Sequence, residues 1–192
     1  MLTFLQTERL LLRQFTPDDA ELLVELDSDP RVMRYITGGI PTSRGEIEGD
    51  FLPAFLDYYQ RFPGYGFWAA NEKSTGDFLG WFHFRPGPED PQDQPELGYR
   101  LRHAAWGKGH ATEGSRALIA TGFSEFGVQR VVASTMAVNT ASRRVMEKSG
   151  MRLVRAFVAD WPVSVPGEER GDVEYAITRD EWEADDSRLR PQ

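Results

Sequence analysis

The chain of 192 residues contains no cysteine, only three histidines and no long apolar run. The absence of cysteine excludes disulfides, thiolate nucleophiles and cysteine-ligated zinc, and it is compatible with a cytoplasmic location. The histidines, His83, His103 and His110, share no metal-ligand spacing, so we expect no metal site. No apolar run approaches the roughly 20 residues of a membrane span. The first residues lack the basic flank and cleavage site of a signal peptide.

Positive charge is scarce overall, because the formal net charge is −8. This balance argues against direct binding of nucleic acid. Basic residues are nevertheless concentrated in residues 100–116 and 143–155, each of which holds a single glutamate. A solvated helix face would explain either segment alone. Because both segments flank the loop described next, we favour a polyanionic ligand, and the acidic remainder favours a cationic partner such as an amine.

Residues 106–112 form the most informative segment, which joins a predicted strand to a predicted helix. Gly107 and Gly109 allow a ligand to approach the backbone closely, and the helix start offers free N–H groups to an anion. Lys108 adds a positive charge suited to a pyrophosphate. Two glycines alone more often make a tight turn. The P-loop and dinucleotide patterns are both absent, so the segment predicts a phosphate site of another kind.

The periodicity of the remaining chain predicts one α/β domain over residues 1–184, followed by a disordered tail over residues 185–192. A helix is expected to begin after Thr16 and to end at Pro30. We expect further helices over Ser43–Tyr59 with a kink at Pro53, over Ala111–Phe126 and over Asn139–Ser149, and strands over Arg9–Phe15, Phe67–Asn71, Phe78–Arg85, Glu96–Leu101, Arg130–Met136, Arg152–Ala159 and Asp172–Thr178. These elements make a mixed sheet with helices on both faces.

From Glu96 to Met151, the chain resembles the acetyl-CoA-binding half of the GNAT N-acetyltransferase superfamily. The loop pattern of that family, Gln/Arg-x-x-Gly-x-Gly/Ala, is matched by Gly109 and Ala111, whereas Trp106 replaces the usual Gln or Arg. Further segments resemble the branch that contains RimJ and RimL, the ribosomal-protein N-terminal acetyltransferases: Ala111–Glu113, Thr7–Arg13, Asn139–Ser142, Glu147–Gly150 and Tyr175–Arg179. The likeness extends from about Leu5 to Trp182.

The resemblance implies the GNAT fold, whose central mixed sheet is mostly antiparallel, and acetyl-CoA as co-substrate without a metal. It implies that the strand before the loop parts from its neighbour and binds the pantetheine arm through the backbone of Leu101 and His103. The implied contacts of coenzyme A in the loop and in the later helix are Gly107, Lys108, Gly109, His110, Ala111, Thr112, Asn139 and Ser142.

Glu96 resembles the general base of several GNAT enzymes, although a solvent-exposed glutamate at a strand edge is an equal interpretation. An amine attacks only when it is unprotonated, so a carboxylate near the acceptor is expected. The tyrosine that protonates the leaving thiolate in many members is Met146 here, and Ser142 matches the proton donor proposed for RimL-like proteins. Asn139 is equally explained as a helix N-cap. The lesser candidates for the base are Glu8, Asp77 and Glu174.

The sequence contains less information about the amine that accepts the acetyl group. A minority of the following aromatic residues is expected to line its groove: Tyr35, Phe62, Tyr65, Trp68, Trp81 and Trp161. The leading hypothesis is a cytoplasmic enzyme that acetylates a protein N-terminal α-amine. The alternatives are a small-molecule amine, such as a polyamine, an amino acid or an antibiotic, a non-catalytic acyl-CoA-binding module, and transfer of a larger acyl group. A homodimer is left open.

Overall fold

The computed structural model describes residues 2–87, 89–159 and 163–189. Over these residues the chain forms one eight-stranded sheet and seven α-helical segments. The strands are β1 (Thr3–Gln6), β2 (Leu10–Gln14), β3 (Gly66–Glu72), β4 (Phe78–Arg85), β5 (Glu96–Leu101), β6 (Arg130–Met136), β7 (Arg152–Phe157) and β8 (Asp172–Thr178). The helical segments are α1 (Ala20–Asp27), α2 (Pro30–Met33), α3 (Arg44–Glu46), α4 (Leu52–Arg61), α5 (His110–Glu125), α6 (Thr140–Lys148) and α7 (Arg179–Leu189).

The sheet runs in the order β1-β2-β3-β4-β5-β6-β8-β7. Every neighbouring pair is antiparallel except β5 and β6, which are parallel. The predicted mixed, mostly antiparallel sheet is therefore confirmed. A parallel pair needs a crossover connection, which α5 provides between β5 and β6.

Side chains of the central strands alternate between two faces, and helices cover both. Phe82 and Phe84 lie on the face that α5 covers. A Cβ added at Gly114 or Gly122 of α5 would lie 2.4 or 2.5 Å from these rings, so the two glycines allow the close approach. Trp81 lies on the opposite face, in a core shared with α1 and α4 that includes Leu23, Leu26, Phe55 and Ala69. The faces and their helices agree with the sequence prediction.

Two helical predictions need correction. The first α-helix ends at Asp27, and Pro30 begins α2 instead of ending α1, because a first-turn proline needs no N–H partner. The helix after Ser43 is interrupted by a π-helical turn over Ile47–Phe51, immediately before Pro53. Proline lacks an N–H group and its ring clashes with the carbonyl four residues earlier. The expected kink therefore takes the form of a widened turn.

The two ends of the chain also differ from the expectations. The strand β1 was not predicted; it pairs along the outer edge of β2 and has a mixed pattern of burial. The last helix, α7, reaches Leu189, so residues 185–189 are helical where the sequence predicts a disordered tail. Residues 190–192 lie outside the described part of the chain, and the division of the domain at residue 184 stays a prediction.

Candidate active site

The loop between β5 and α5 exposes backbone N–H groups at the start of a helix. Gly107 and Gly109 have φ angles of 71° and 86°, a region that residues with a Cβ rarely adopt. The first hydrogen bond of α5 runs from the N–H of Glu113 to the carbonyl of Gly109, at 3.0 Å. The N–H groups of residues 110–112 therefore have no acceptor within the helix. An anion placed here would meet these N–H groups and the positive end of the helix dipole.

Three residues, which we call the loop clamp, anchor this loop to the N-terminal strands: Thr7, Arg9 and Glu113. The Glu113 Oε1 atom accepts hydrogen bonds from Thr7 Oγ1 at 2.6 Å and from the Arg9 N–H at 2.9 Å. Its Oε2 atom accepts one from Arg9 Nε at 2.7 Å and lies 2.6 Å from Arg9 Nη2. Arg9 Nη1 also donates to the carbonyl of Lys108 at 2.8 Å. The segments Thr7–Arg13 and Ala111–Glu113, which support the family resemblance separately in the sequence, are thus in direct contact in the structure.

The side chains of the loop differ in what they can offer to a ligand. Lys108 is exposed at the loop surface. The His110 imidazole is buried, which lowers its pKa, and its Nδ1 atom has no hydrogen-bond partner in the described part of the chain. Trp106 is 46% exposed, and its Nε1 donates to the carbonyl of Leu101 at 2.8 Å. The residue that departs from the family pattern therefore serves as a donor to the end of β5.

Strands β5 and β6 part immediately after they meet. Among the described residues they are paired at one position, where Glu96 lies opposite Val132. Beside this pair, the Val132 N–H donates to the Pro95 carbonyl at 3.1 Å. Backbone direction alternates along a strand, so Tyr99 and Leu101 face the same side as Pro95, into the widening gap. An unpaired strand edge is therefore present at Tyr99 and at Leu101, of which Leu101 was predicted from the sequence.

His103 differs from this expectation because β5 ends at Leu101. His103 begins a 3₁₀ turn that continues to Ala105, and its carbonyl already accepts a hydrogen bond from the Trp106 N–H at 3.1 Å. Its imidazole is exposed and lies 4.9 Å from the Trp106 ring. A strand-like pair of hydrogen bonds is therefore not available at His103. At Leu101 the N–H faces the gap, whereas the carbonyl already accepts from Trp106 Nε1 at 2.8 Å.

Glu96 lies at the vertex of the gap, where β5 and β6 are still paired. Burial raises the pKa of its carboxyl, and the positive charge of Arg85 opposes that shift. The Glu96 Oε2 atom lies 3.7 Å from His83 Nε2. Burial, together with Arg85 and Arg100, lowers the pKa of His83 to about 3, so the imidazole is neutral. A carboxyl with a raised pKa beside a neutral imidazole is suited to accept a proton.

A glycine makes the approach of His83 to this strand feasible. A Cβ at Gly98 would lie 2.5 Å from His83 Nε2, so only glycine leaves room for the ring. The other carboxylates considered from the sequence are less suitable. Glu8 and Asp77 are exposed, and Glu174 is engaged by Arg130 at 3.3 Å and by Arg155 at 2.7 Å.

The opposite side of the gap carries hydroxyl groups. Asn139 caps α6, because its Oδ1 accepts a hydrogen bond from the Ser142 N–H at 3.2 Å, as predicted. Burial raises the pKa of Tyr99, and the Ser142 side chain opposes that shift with a smaller effect. Met146 is buried in the core and 6% exposed. The structure therefore adds a tyrosine from β5 near the position where the family tyrosine is missing.

A cavity of about 220 Å³ lies on the Glu96 face of the sheet, between β4, β5 and the helices that follow β2. His83, Arg85 and Arg100 provide its nitrogen atoms, and Asp27 its carboxylate. Its apolar lining residues are Leu23, Ile47, Phe51, Phe55, Phe67 and Trp81. Because His83 also contacts Glu96 across the strands, the cavity is adjacent to the proposed base.

Of the aromatic residues considered for the acceptor groove, Trp81 lines this cavity. Trp68 and Tyr65 are buried in the core on the opposite face, and Phe62 packs against that core. Tyr35 is half-buried and its ring lies 5.1 Å from the Arg34 guanidinium. Trp161 lies outside the described residues. The three phenylalanines of the cavity were not predicted, because periodicity alone does not tell which rings leave space beside them.

The two basic segments are also used differently from the expectation. Arg100 lies on the cavity face and pairs with Asp27 at 2.6 Å. Arg102 pairs with Glu25, and Arg116 donates to the carbonyl of Lys148 at 2.6 Å. The arginines of the second segment behave similarly: Arg143 donates to Tyr175 and Ala137, Arg152 pairs with Glu181 and Arg155 with Glu174. Much of the local positive charge is therefore neutralised within the protein.

No helix in the described part of the chain has the length and apolar character needed to cross a membrane. Within the same residues, no cluster of three or more His, Asp or Glu side chains is placed to hold a metal ion.

Comparisons with known proteins agree with this geometry. Residues 9–152 match the family model described as acetyltransferase (GNAT) domain. The chain is 35% identical over 184 residues to a protein of Aspergillus fumigatus named FsC-acetyl coenzyme A-N(2)-transacetylase, which covers 93% of this chain and 77% of that protein. A GNAT-family acetyltransferase structure from Bacillus anthracis superimposes with a TM-score of 0.72 at 26% identity, over 94% of this chain and 99% of that one. RimL in complex with coenzyme A shares the fold, with a TM-score of 0.74 at 19% identity over 90% and 95% of the two chains.

Proposed function

Because the chain belongs to the GNAT acetyltransferase family, and is an N-acetyltransferase that uses acetyl-CoA, we propose that it acetylates a primary α-amine held beside Glu96. The observation that carries this proposal is the position of Glu96. Its side chain is half-buried, its pKa is raised, and it lies where β5 and β6 begin to part. A base at that vertex lies between the cavity on one face and the strand edge that faces the gap.

The loop and the strand edge fit the two chemically distinct parts of coenzyme A. The N–H groups of residues 110–112 and the exposed Lys108 suit a pyrophosphate. The backbone of Tyr99 and Leu101 suits the amide groups of the pantetheine arm, since it faces an unpaired edge. We propose as contacts of coenzyme A the residues Leu101, His103, Gly107, Lys108, Gly109, His110, Ala111, Thr112, Asn139 and Ser142, with His103 contributing through its exposed side chain.

Acetyl-CoA supplies an acetyl group that is already activated as a thioester, so the protein has to orient it and to move one proton. Glu96 takes the proton from the amine as the N–C bond forms. An α-amine with a pKa of about 8 is partly neutral at physiological pH, whereas a lysine amine of about 10.4 is mostly protonated. A carboxyl with a raised pKa therefore suits an α-amine better than a lysine side chain.

The hydroxyl groups of Tyr99 and Ser142 are assigned to the departing sulfur of coenzyme A. As the C–S bond breaks, negative charge develops on the departing sulfur, and a hydroxyl that donates a hydrogen bond stabilises it. Tyr99 is neutral, because burial raises its pKa. The backbone N–H of Leu101 faces the same gap and is suited to the charge on the thioester oxygen.

Two kinds of acceptor are proposed. The protein N-terminal α-amine is supported by the RimJ- and RimL-like motifs in the sequence. A small-molecule α-amine is supported by two observations: the cavity is compact, at about 220 Å³, and the Aspergillus fumigatus relative is named for transfer to a nitrogen designated N(2). We further propose that the enzyme acts in the cytoplasm and leave a homodimer as a prediction.

The proposal is tested by release of coenzyme A from acetyl-CoA with purified protein and a panel of N-terminal peptides, amino acids, polyamines and aminoglycosides. Glu96→Gln is expected to lower kcat by about a hundredfold or more while the affinity for acetyl-CoA stays unchanged. The exposed Glu8 provides the control, since Glu8→Gln removes the same charge away from the gap. Unchanged turnover in Glu96→Gln would remove Glu96 from the role of base, and selective use of lysine side-chain or polyamine amines would overturn the α-amine proposal.

A further inference from the structure

Three nitrogen atoms around the cavity are buried and have no hydrogen-bond partner among the described residues: Arg85 Nε, Arg100 Nε and His83 Nε2. A buried polar atom without a partner costs free energy, so native structures usually provide one. The three atoms belong to side chains that line the same space. The lining of the cavity is therefore mixed, with polar side chains beside aromatic ones.

The two arginines of the cavity differ in how their charge is neutralised. Arg100 Nη1 contacts both carboxylate oxygens of Asp27 at 2.6 Å, and Asp27 also accepts from Thr42. Arg85 forms no ion pair with a carboxylate in the described part of the chain. It lies over two aromatic rings, those of Phe67 and Tyr58, with its Cζ 5.1 and 5.9 Å from their centroids. The guanidinium of Arg85 is therefore the group at this cavity that lacks an anion.

Arg85 and Glu96 occupy directly opposed positions in the register of β4 and β5. Side chains of such a pair point to the same face, with Cβ atoms about 5 Å apart. They could form a simple ion pair, yet their charged groups are not within 4.0 Å of each other, because no such bridge occurs among the described residues. One cation and one anion thus lie side by side at the edge of an aromatic cavity, each open to a different partner.

We propose that the acceptor is a free α-amino acid with an apolar or aromatic side chain. Its amine lies at Glu96, its carboxylate on the Arg85 guanidinium, and its side chain among Phe51, Phe55, Phe67 and Trp81. A guanidinium binds a carboxylate through two parallel N–H donors, and Arg85 lines the cavity without an ion pair among the described residues. This proposal rests on the function proposed above and narrows its acceptor. A peptide N-terminus offers an amide carbonyl where the amino acid offers a full negative charge.

The test compares matched acceptors that differ in one group. Amino acids with apolar side chains are assayed beside their α-amides and beside dipeptides with the same first residue, by release of coenzyme A. The amide also changes the amine pKa, so the kcat/KM values are compared on the high-pH plateau of each acceptor. We expect wild-type protein to favour the acid over the amide by about tenfold or more, and Arg85→Gln to lose that preference. The ratio of acid to amide cancels any effect of the substitution on Glu96.

Arg61 provides the matched control. It is an exposed arginine that pairs with Asp57 at 3.2 Å and lies over the Phe62 ring, outside the cavity. Arg61→Gln is expected to keep the acid-to-amide ratio of the wild type. Binding of the amino acid to protein saturated with coenzyme A, measured by calorimetry, gives a second readout that does not depend on turnover. Binding that weakens at least tenfold in Arg85→Gln would support the carboxylate site.

The outcomes separate the two proposals. Turnover of α-amines with equal use of acid and amide, a preference for peptides, or a preference that survives in Arg85→Gln would overturn the amino acid proposal and leave the acetyltransferase proposal standing. Binding of acids through Arg85 without turnover of any amine would support the site and overturn Glu96-dependent acetylation. Absence of both turnover and binding would overturn both.

Discussion

The loop clamp allows a prediction whose magnitude follows from the contacts of Glu113. In Glu113→Gln the amide oxygen can still accept from Thr7 and from the Arg9 N–H, which share Oε1 at 2.6 and 2.9 Å. The amide NH₂ group then faces Arg9 Nε and Nη2, which contact Oε2 at 2.7 and 2.6 Å in the wild type. Two charge-assisted hydrogen bonds are replaced by a contact between donors.

Such bonds contribute about 1.5–3 kcal/mol each when buried. The Arg9 side chain is 41% exposed, so water replaces part of what is lost. A net loss of about 1–2 kcal/mol is therefore expected. In a chain of this length each kcal/mol lowers Tm by about 2–4 °C, so Glu113→Gln should melt roughly 2–8 °C lower than the wild type.

The clamp also holds the loop, since Arg9 Nη1 donates to the Lys108 carbonyl. Release of Arg9 is expected to raise the Kd for coenzyme A by about tenfold, which corresponds to 1.4 kcal/mol. Differential scanning fluorimetry gives Tm, and calorimetry with coenzyme A gives Kd. Glu48→Gln is the control, because it removes an exposed pair with Arg44 in which both side chains are about half exposed. That pair is expected to contribute less than about 0.5 kcal/mol.

The pH dependence of the clamp has a definite sign. Burial alone would raise the pKa of Glu113, but hydrogen bonds from Thr7 and Arg9 outweigh it and hold the pKa below its usual range. A carboxyl with a lowered folded-state pKa stabilises the fold above its unfolded pKa, and that contribution is lost as the pH falls. The Tm difference between Glu113→Gln and wild type should narrow below about pH 4. If Glu113→Gln bound coenzyme A with wild-type affinity and melted at the same temperature as Glu48→Gln, the proposed role of the clamp would be refuted.

The other predictions concern the loop, the hydroxyl pair and the base. Gly109→Asp is expected to raise the Kd for coenzyme A by about a hundredfold or more. The reasons are that a Cβ is strained at φ 86° and that a carboxylate would face the pyrophosphate. Normal binding of coenzyme A, measured by calorimetry, would show that the loop is not the phosphate site. Tyr99→Phe should lower kcat by about tenfold or more with little change in Kd, and more than Ser142→Ala does; the reverse order in steady-state kinetics would assign the donor to Ser142. A carbon-13 NMR titration should find that Glu96 titrates above the usual carboxyl range, because burial raises its pKa. Arg85→Gln should move that titration to still higher pH, and a shift to lower pH would contradict the assigned geometry.

Periodicity was sufficient for the elements with strong alternation. The predicted bounds of β4, β5, β6 and β8 coincide with those of the structure. The edge strand β1 was missed because its burial does not alternate: Thr3 and Gln6 are exposed, and Phe4 and Leu5 are half-buried. The π-helical turn was missed because it depends on how the helix accommodates Pro53 while keeping Ile47 and Leu52 buried.

The candidate site divides in the same way. The loop glycines and Glu96 could be proposed from the sequence because each lies within a few residues of a strand end or a helix start. Such positions are recognised from neighbouring residues alone. The loop clamp joins residues 7–9 with Glu113, and Tyr99 meets Ser142 across two different elements. No local pattern predicts such pairs. Their motifs were visible in the sequence, but the contact that explains the motifs was not.

The sequence by itself determined the family, the glycine positions of the loop between β5 and α5 and the bounds of β4, β5, β6 and β8, because each depends on short-range spacing and backbone preference. Only the tertiary structure decided which charges are neutralised. Arg100 and Arg85 both line the cavity, yet Asp27, distant along the chain, pairs with the first, while the second has no ion pair with any carboxylate of the described residues. Electrostatic interactions depend on distance in space and on burial, and neither can be read from the position of a residue in the chain.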